Sequence, residues 1–191
     1  TGDDALPGAV AALAKLRGSG LALRFLTNTT RTPGSVLHTK LCRMGFSLVP
    51  EEIQTAALAA RTLVHERGLR PHWMVHPDIA EEMGASDPNP DVVVLGDMGE
   101  HFTYAGLNHA FRLLMQGVPL LAMARNRYFM EADGMSMDIG AFVAGLEYSA
   151  GAAAEIVGKP APAFFAAALA ELDVAADTAV FSFRLRSGAG G

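Results

Sequence analysis

The sequence predicts an α/β protein built on a parallel sheet, because two kinds of apolar segment alternate along its 191 residues. Short runs rich in branched residues, typical of buried strands, are separated by longer segments whose apolar residues recur at helical spacing. Half of the residues are apolar and only 18% are charged, so the chain can bury a sizeable core and does not belong to the disordered proteins.

The first part of the chain alternates helices with one strand. Pro7 suits the first turn of a helix, where its missing N–H is not needed, and a glycine after each helical stretch favours a helix end. Leu21, Leu23 and Phe25 alternate with other residues, as in a buried strand. These patterns predict a helix from Pro7 to Gly18, a strand ending at Thr27, and helices over 33–44 and 52–66.

The pattern changes near residue 69 and changes back near residue 151, which indicates a second small α/β unit inserted into the first. We predict a discontinuous, partial core unit (1–68 and 152–180), an inserted unit (69–151) and a divergent tail (181–191). The other predicted elements are strands over 72–77, 91–97, 119–124, 155–160 and 178–183, helices over 104–116, 141–150 and 162–172, and a loop over 126–140 with a turn at Asp133 and Gly134.

Composition narrows the functional classes. The net charge is −5 and no run of Lys or Arg exceeds two residues, so no nucleic-acid partner is expected. No apolar stretch reaches the roughly eighteen residues of a membrane-spanning helix, so no membrane partner is expected either. The single cysteine, Cys42, excludes an internal disulfide and favours a reducing, cytoplasmic compartment.

Polar residues follow the first predicted strand at Thr27 and Asn28. Ligands of open α/β sheets gather at the carboxyl ends of strands, where hydroxyl and backbone N–H groups can bind an anion. The local pattern leaves two interpretations open. One is an anion site, and the other, the commoner use of Thr and Asn, is a cap for the following helix.

A second polar strand end carries Gly158 and Lys159. A lysine held there can place a positive charge over a phosphoryl group, whereas the commoner alternative is a solvated loop lysine. Asp97 also follows a predicted strand, but no second carboxylate is placed beside it for a metal, so a strand-end turn is the better interpretation. The spacing of the histidines matches no zinc site.

Together these segments resemble the haloacid dehalogenase superfamily, and most closely its NagD-like branch, in which a Rossmann-like core carries an inserted α/β cap of the C2 type. The resemblance covers residues 2 to about 180. It rests on the order of five segments: GDDALPGA, RFLTNTTRTPGSVLHTKLCRMGF, HFTYAGLNHAFRLLMQGVPLLAMARNRYFMEADG, FVAGLEYSAG and EIVGKPAPAFF.

The resemblance implies a Mg²⁺-dependent phosphatase that acts on a small phosphorylated substrate (a phosphomonoester, a phosphoamide or a pyrophosphate) through an aspartyl-phosphate. It makes Thr27, with Asn28 beside it, the strand-end pair that holds a phosphoryl oxygen, and Lys159 the cation that offsets the negative charge. Arg127 and Tyr128 fall in the cap stretch that faces the active site in this branch. They are expected to contact the leaving group, and the alternative is a solvated Arg beside a packed aromatic ring.

The resemblance also implies motifs that the sequence does not contain. The nucleophile motif Asp-x-Asp-Gly is expected just before GDDALPGA, and an acidic fourth motif just after Val180, where the sequence reads FSFR. We therefore expect a core that is incomplete at both ends, no Mg²⁺ ligand within the sequence, and no turnover by this polypeptide alone.

The alternative function is a catalytically inactive binding or dimerisation module. Tyr104, Leu107 and Phe111 then offer an apolar stripe for a homodimer through the cap, although such stripes are more often part of a core.

Overall fold

A computed structural model describes residues 4–131, 133–172 and 179–180 of the chain. Its helices are α1 (Ala9–Gly18), α2 (Gly34–Arg43), α3 (Ala56–Glu66), α4 (Pro77–Met83), α5 (Tyr104–Met115), α6 (Gly140–Ala150) and α7 (Pro162–Leu172). Its strands are β1 (Phe25–Thr27), β2 (Ile53–Thr55), β3 (Pro71–Met74), β4 (Val92–Leu95), β5 (Leu120–Ala122), β6 (Tyr128–Met130), β7 (Met135–Met137) and β8 (Glu155–Ile156). Among the described residues, no helix has the length and apolar character needed to cross a membrane.

The arrangement of the strands confirms the predicted α/β class. β3, β4, β5 and β8 lie side by side in that order as a parallel four-stranded sheet, and β1 pairs in parallel with β2. A parallel sheet covered on both faces requires strands that are apolar at every position, and β4 is buried at all four of its residues.

Alternate residues of β4 serve two separate cores, as the two-residue period of a strand dictates. Val93 and Leu95 pack with residues of α5 and α6, whereas Val92 and Val94 pack with residues of α3 and α4. Because α3 precedes residue 69 and α4 follows it, the second core joins the two units that the sequence predicts.

β8 crosses the second predicted boundary in the same way. It belongs to the predicted core unit, yet it pairs with β5 of the inserted unit. The pairing continues beyond the strands, since Val157 N donates to Ala122 O at 2.9 Å and Gly158 N donates to Met123 O at 3.0 Å. One sheet therefore spans both sides of the 151/152 boundary, and the division into core and cap stays a prediction.

Two predictions for the first part of the chain are wrong in detail. The helix predicted over 52–66 is β2 followed by α3, because Ile53–Thr55 is buried at every residue and pairs with β1. The strand predicted to begin at residue 21 is limited to β1. Of the described residues there, only Phe25–Thr27 has a partner strand, and Leu21 is 57% exposed.

The loop predicted over 126–140 contains an antiparallel hairpin. Its ladder pairs Tyr128 with Met137 and Met130 with Met135, and Gly134 lies in the turn with a φ of 146°. Because these four side chains are exposed, the hairpin has no apolar alternation facing a core, and periodicity alone does not reveal it.

Two further elements complete the comparison. α4 has no counterpart among the predicted elements, although Pro77 stands at its start, where proline is favoured. The strand predicted over 178–183 lies outside the described residues except for Ala179 and Val180.

Candidate functional site

Thr27 ends β1, and a loop of six residues separates it from α2. The Thr27 hydroxyl lies 2.7 Å from the Thr29 hydroxyl and accepts a hydrogen bond from Thr29 N at 3.2 Å. The N-cap position of α2 is Pro33, so the interpretation of Thr27 and Asn28 as a helix cap is wrong. Thr55, at the end of the neighbouring strand, is a cap: its hydroxyl accepts from Leu58 N at 3.0 Å.

Asn28 binds the backbone of Lys159 with both ends of its side-chain amide. Its Nδ2 donates to Lys159 O at 2.9 Å, and its Oδ1 accepts from Lys159 N at 2.8 Å. We call this pair of hydrogen bonds the Asn28–Lys159 clasp. It joins two strand ends that are 131 residues apart, so two of the predicted site residues, with Thr27 beside them, are brought together.

Gly158 allows the clasp to form. A Cβ atom at this position would lie 2.4 Å from Met123 O and 2.9 Å from Asn28 Oδ1. Because both distances are shorter than real Cβ contacts, any side chain would push the backbone of residues 158 and 159 away from β5 and from Asn28. The glycine before Lys159 is therefore required by close approach.

The side chain of Lys159 returns to the start of the site. It is half-buried, and its Nζ donates to Leu26 O of β1 at 3.0 Å, so the interpretation as a solvated loop lysine is wrong. Burial lowers the pKa of Lys159 below its usual value. Within the described part of the chain, no carboxylate forms an ion pair with this ammonium group.

A second polar cluster lies at the carboxyl end of β4, where Asp97 is 5% exposed. Arg31, on the loop after β1, reaches it with Nε 2.6 Å from Oδ2 and with Nη2 donating to Oδ1 at 3.0 Å. Burial and then the nearby charge of Asp97 raise the pKa of Asp138, while Arg31 opposes that rise. Asp97 Oδ1 also accepts a hydrogen bond from Gly99 N at 2.9 Å, which agrees with the predicted strand-end turn.

Sequence reasoning missed Arg31 as part of a site. Its side chain lies against the backbone of Gly99, since a Cβ there would be 3.0 Å from the Arg31 Cζ. The same Cζ lies 5.1 Å from the centre of the Phe129 ring. The one signal in the sequence is its position three residues after Asn28, which gives no hint of its partners.

Arg127 and Tyr128 lie at the start of hairpin β6–β7, with exposed side chains. Within the described residues, no hydrogen bond or ion pair links either side chain to Thr27, Asn28 or Lys159. The structure therefore does not bring these two residues to the clasp, and their substrate-binding role stays a prediction.

The described residues do not by themselves form the Mg²⁺ site that the resemblance implies. They contain no group of three or more His, Cys, Asp or Glu side chains placed to hold a metal ion. The two histidine pairs, His72 with His109 and His76 with His101, are edge-to-face ring contacts. Asp97, the carboxylate at the end of β4, is already paired with Arg31.

Known proteins match this chain along most of its length. Residues 1–89 match the family described as haloacid dehalogenase-like hydrolase. Phospholysine phosphohistidine inorganic pyrophosphate phosphatase of Xenopus laevis is 43% identical over 176 residues, which cover 90% of this chain and 64% of that protein. Haloacid dehalogenase-like hydrolase domain-containing protein 2 of Rattus norvegicus is 41% identical over 182 residues, which cover 93% and 69%.

A solved structure also resembles this chain in fold. A mutant of thermostable p-nitrophenylphosphatase from Bacillus stearothermophilus superimposes with a TM-score of 0.79 at 25% identity, over 88% of this chain and 69% of that one. The fold and the matches together define the class as a hydrolase whose fold combines a parallel sheet with flanking helices. The chain belongs to the haloacid dehalogenase-like hydrolases, in their NagD-like branch, as its motifs predict.

Proposed function

We propose that this chain carries the phosphoryl-binding site of a phosphatase for small phosphorylated substrates. The observation that carries the proposal is Lys159, a half-buried cation that is held at a strand end without a carboxylate partner in the described residues. Such a group favours an anion, because the anion replaces solvation that burial has already removed.

The clasp divides the roles of the three residues. Lys159 has three N–H donors and uses one of them on Leu26 O, so the others are available to a phosphoryl oxygen. Thr27 contributes a hydroxyl at the adjoining strand end. Asn28 uses its amide on the Lys159 backbone, so we give it a positioning role in which it fixes the lysine relative to Thr27.

Substrate class and cofactor are inferred from relatives. The names of the matched proteins refer to phospholysine, phosphohistidine, inorganic pyrophosphate and p-nitrophenyl phosphate, so we propose a phosphoamide, a pyrophosphate or a phosphomonoester. Phosphatases of this family generally require Mg²⁺ and form an aspartyl-phosphate. The described residues contain no group of three or more His, Cys, Asp or Glu side chains placed to hold a metal ion, and we assign no step to a metal or to a nucleophile. A cytoplasmic location also stays a prediction.

Binding of orthophosphate tests the role of Lys159 without requiring turnover. We expect Lys159→Met to weaken orthophosphate binding at least about tenfold in titration calorimetry, because it removes a charge-assisted hydrogen bond. Lys15→Met, in the last turn of α1, is the matched control and should leave the affinity unchanged.

The pH dependence gives a second readout. Affinity in the parent chain should fall as pH rises through the lowered pKa of Lys159, and Lys159→Met should show no such fall. Phosphate release from p-nitrophenyl phosphate with added Mg²⁺ is measured on the same samples as orthophosphate binding. A folded chain that neither binds orthophosphate nor hydrolyses p-nitrophenyl phosphate would contradict the proposal and favour the binding-module alternative.

We also propose a homodimer through the cap, formed by the surface between α5 and α6. An apolar groove of about 430 Å³ lies there, and Leu107 and Phe111 of the predicted stripe line it. Tyr104, which also lines the groove, is 83% exposed, and Tyr148 of α6 is 91% exposed, which is unusual for aromatic side chains outside an interface. Sedimentation velocity should give a dimer that Phe111→Arg converts to a monomer, and a monomeric parent chain would contradict this part of the proposal.

A further inference from the structure

Arg31 belongs to the loop that follows Thr27 and contains Asn28, but its side chain contacts the second polar cluster, and no hydrogen bond or ion pair joins it to the clasp in the described residues. Three contacts hold it there: the Asp97 carboxylate, the backbone of Gly99 and the ring of Phe129. All three partners come from the predicted cap. A residue of the phosphoryl-binding loop is therefore anchored in the cap.

Several contacts restrain the Arg31 guanidinium. The Asp97 carboxylate contacts two nitrogens of the Arg31 guanidinium, Nε and Nη2. The Asp97 Oδ1 also accepts a hydrogen bond from Gly99 N at 2.9 Å. Gly99 has a φ of +55°, and a Cβ there would lie only 3.0 Å from the Arg31 Cζ, while the centre of the Phe129 ring lies 5.1 Å from that atom. A planar cation bound along one edge and packed against an aromatic ring has few other positions available.

Both strands of hairpin β6–β7 are tied to this anchor. Phe129 is the central residue of β6 and stands between Tyr128 and Met130. Asp138 directly follows β7, is 8% exposed, and interacts electrostatically with both Asp97 and Arg31. Without the guanidinium, Asp97 and Asp138 would repel each other and Phe129 would lose its cation. The position of the hairpin thus depends on Arg31.

We propose that Arg31 is a positioning residue that fixes hairpin β6–β7 relative to the phosphoryl-binding loop and thereby determines how the organic part of a phosphorylated substrate is bound. The inference rests on the proposed function, since it needs a phosphoryl group at Thr27 and Lys159. It assigns Arg31 no contact with the substrate. The hairpin, which begins with Tyr128 and follows Arg127, supplies the contact to the group that leaves.

Two probes separate positioning from general stability. Orthophosphate reports only on the phosphoryl site, whereas p-nitrophenyl phosphate also reports on the site for the organic group. We expect Arg31→Met to weaken binding of p-nitrophenyl phosphate about tenfold while it changes orthophosphate binding less than about threefold. Arg31→Lys keeps the charge but loses the planar guanidinium that binds a carboxylate through two N–H groups. Its affinity for p-nitrophenyl phosphate should therefore lie between those of the parent chain and Arg31→Met.

Arg70→Met is the matched control. Arg70 also pairs with an aspartate, Asp91. This pair lies at the amino ends of β3 and β4, whereas the clasp lies at the carboxyl ends of the strands. This variant should leave the affinities for both probes unchanged. If Arg31→Met does not fold, Phe129→Leu removes the ring contact alone and should produce the same selective loss.

The outcomes are distinct. A loss confined to p-nitrophenyl phosphate supports the inference. Equal losses for both probes, or no loss for either, would overturn it and leave Arg31 as a stabilising residue. A parent chain that binds p-nitrophenyl phosphate no better than orthophosphate would overturn it as well. A parent chain that binds neither probe would contradict the proposed function, and this inference with it.

Discussion

Two strand ends at one edge of the sheet hold a cation in opposite ways. At the end of β8, the neutral amide of Asn28 binds the backbone of Lys159, and the ammonium group meets only a carbonyl oxygen in the described structure. At the end of β4, the carboxylate of Asp97 binds the guanidinium of Arg31 directly. Both cations are partly buried, and both arise from loops that follow parallel strands.

The difference shows that position at a strand end is not enough to make an anion site. A cation that is already paired with a buried carboxylate has little attraction left for a ligand, because the pair is nearly neutral. A cation that is held through its backbone keeps its charge available. The clasp is therefore suited to bind a phosphoryl group, whereas the Arg31–Asp97 pair is suited to join segments.

The largest expected effect comes from breaking the clasp at its backbone. Gly158→Ala places a methyl group 2.4 Å from Met123 O, so we expect a loss of about 3 kcal/mol of unfolding free energy in urea. Gly145→Ala, in the middle of α6, is the control. A Cβ there meets nothing within 4 Å, so it should gain up to about 1 kcal/mol from helix propensity. Equal changes in unfolding free energy for the two variants would show that the clasp does not require a glycine at position 158.

The next effect comes from breaking the ion pair at the end of β4. Asp97→Asn should cost about 2 kcal/mol of unfolding free energy, because Arg31 loses its charged partner in a buried place. Orthophosphate affinity should hardly change. Asp91→Asn breaks an exposed aspartate–arginine pair and should be nearly silent in the same urea titration. A large loss of phosphate affinity in Asp97→Asn would mean that the two strand ends are not independent.

The smallest expected effect is on the pH dependence of stability. The pKa of Asp138 is raised in the folded chain, so the folded state binds more protons than the unfolded state in the interval above the usual aspartate pKa. Stability should therefore fall as pH rises from that usual value through the raised one. Asp138→Asn should flatten this part of the curve in thermal unfolding. An unchanged slope would show that another group dominates.

Helices with clear ends were predicted well from the sequence. The helix predicted over 104–116 is α5, Tyr104–Met115, and the helix predicted over 162–172 is α7, Pro162–Leu172. A threonine cap before α5 and a proline at the start of α7 are local signals, which need no knowledge of distant residues. The family, too, was recognisable from motif order.

Strands that lack a clear apolar run, namely β2, β6 and β7, were not predicted. β2 has three residues, and Ile-Gln-Thr in front of an alanine-rich helix reads as the start of that helix. Its strand conformation depends on the pairing with β1, which is more than twenty residues away. The hairpin β6–β7 escaped prediction for a related reason, because its exposed face carries methionines and a tyrosine rather than the alternation of a half-buried strand.

The sequence by itself determined the α/β class, the family, and Thr27, Asn28 and Lys159 as the residues to examine, because local periodicity and motif order carry that information. Only the tertiary structure decided what these side chains do: it closed Asn28 on the Lys159 backbone, left the lysine without a carboxylate in the described residues, and paired Arg31 with Asp97, 66 residues away. Hydrogen bonds and ion pairs between distant segments depend on how strands are ordered in a sheet, and no local pattern records that order.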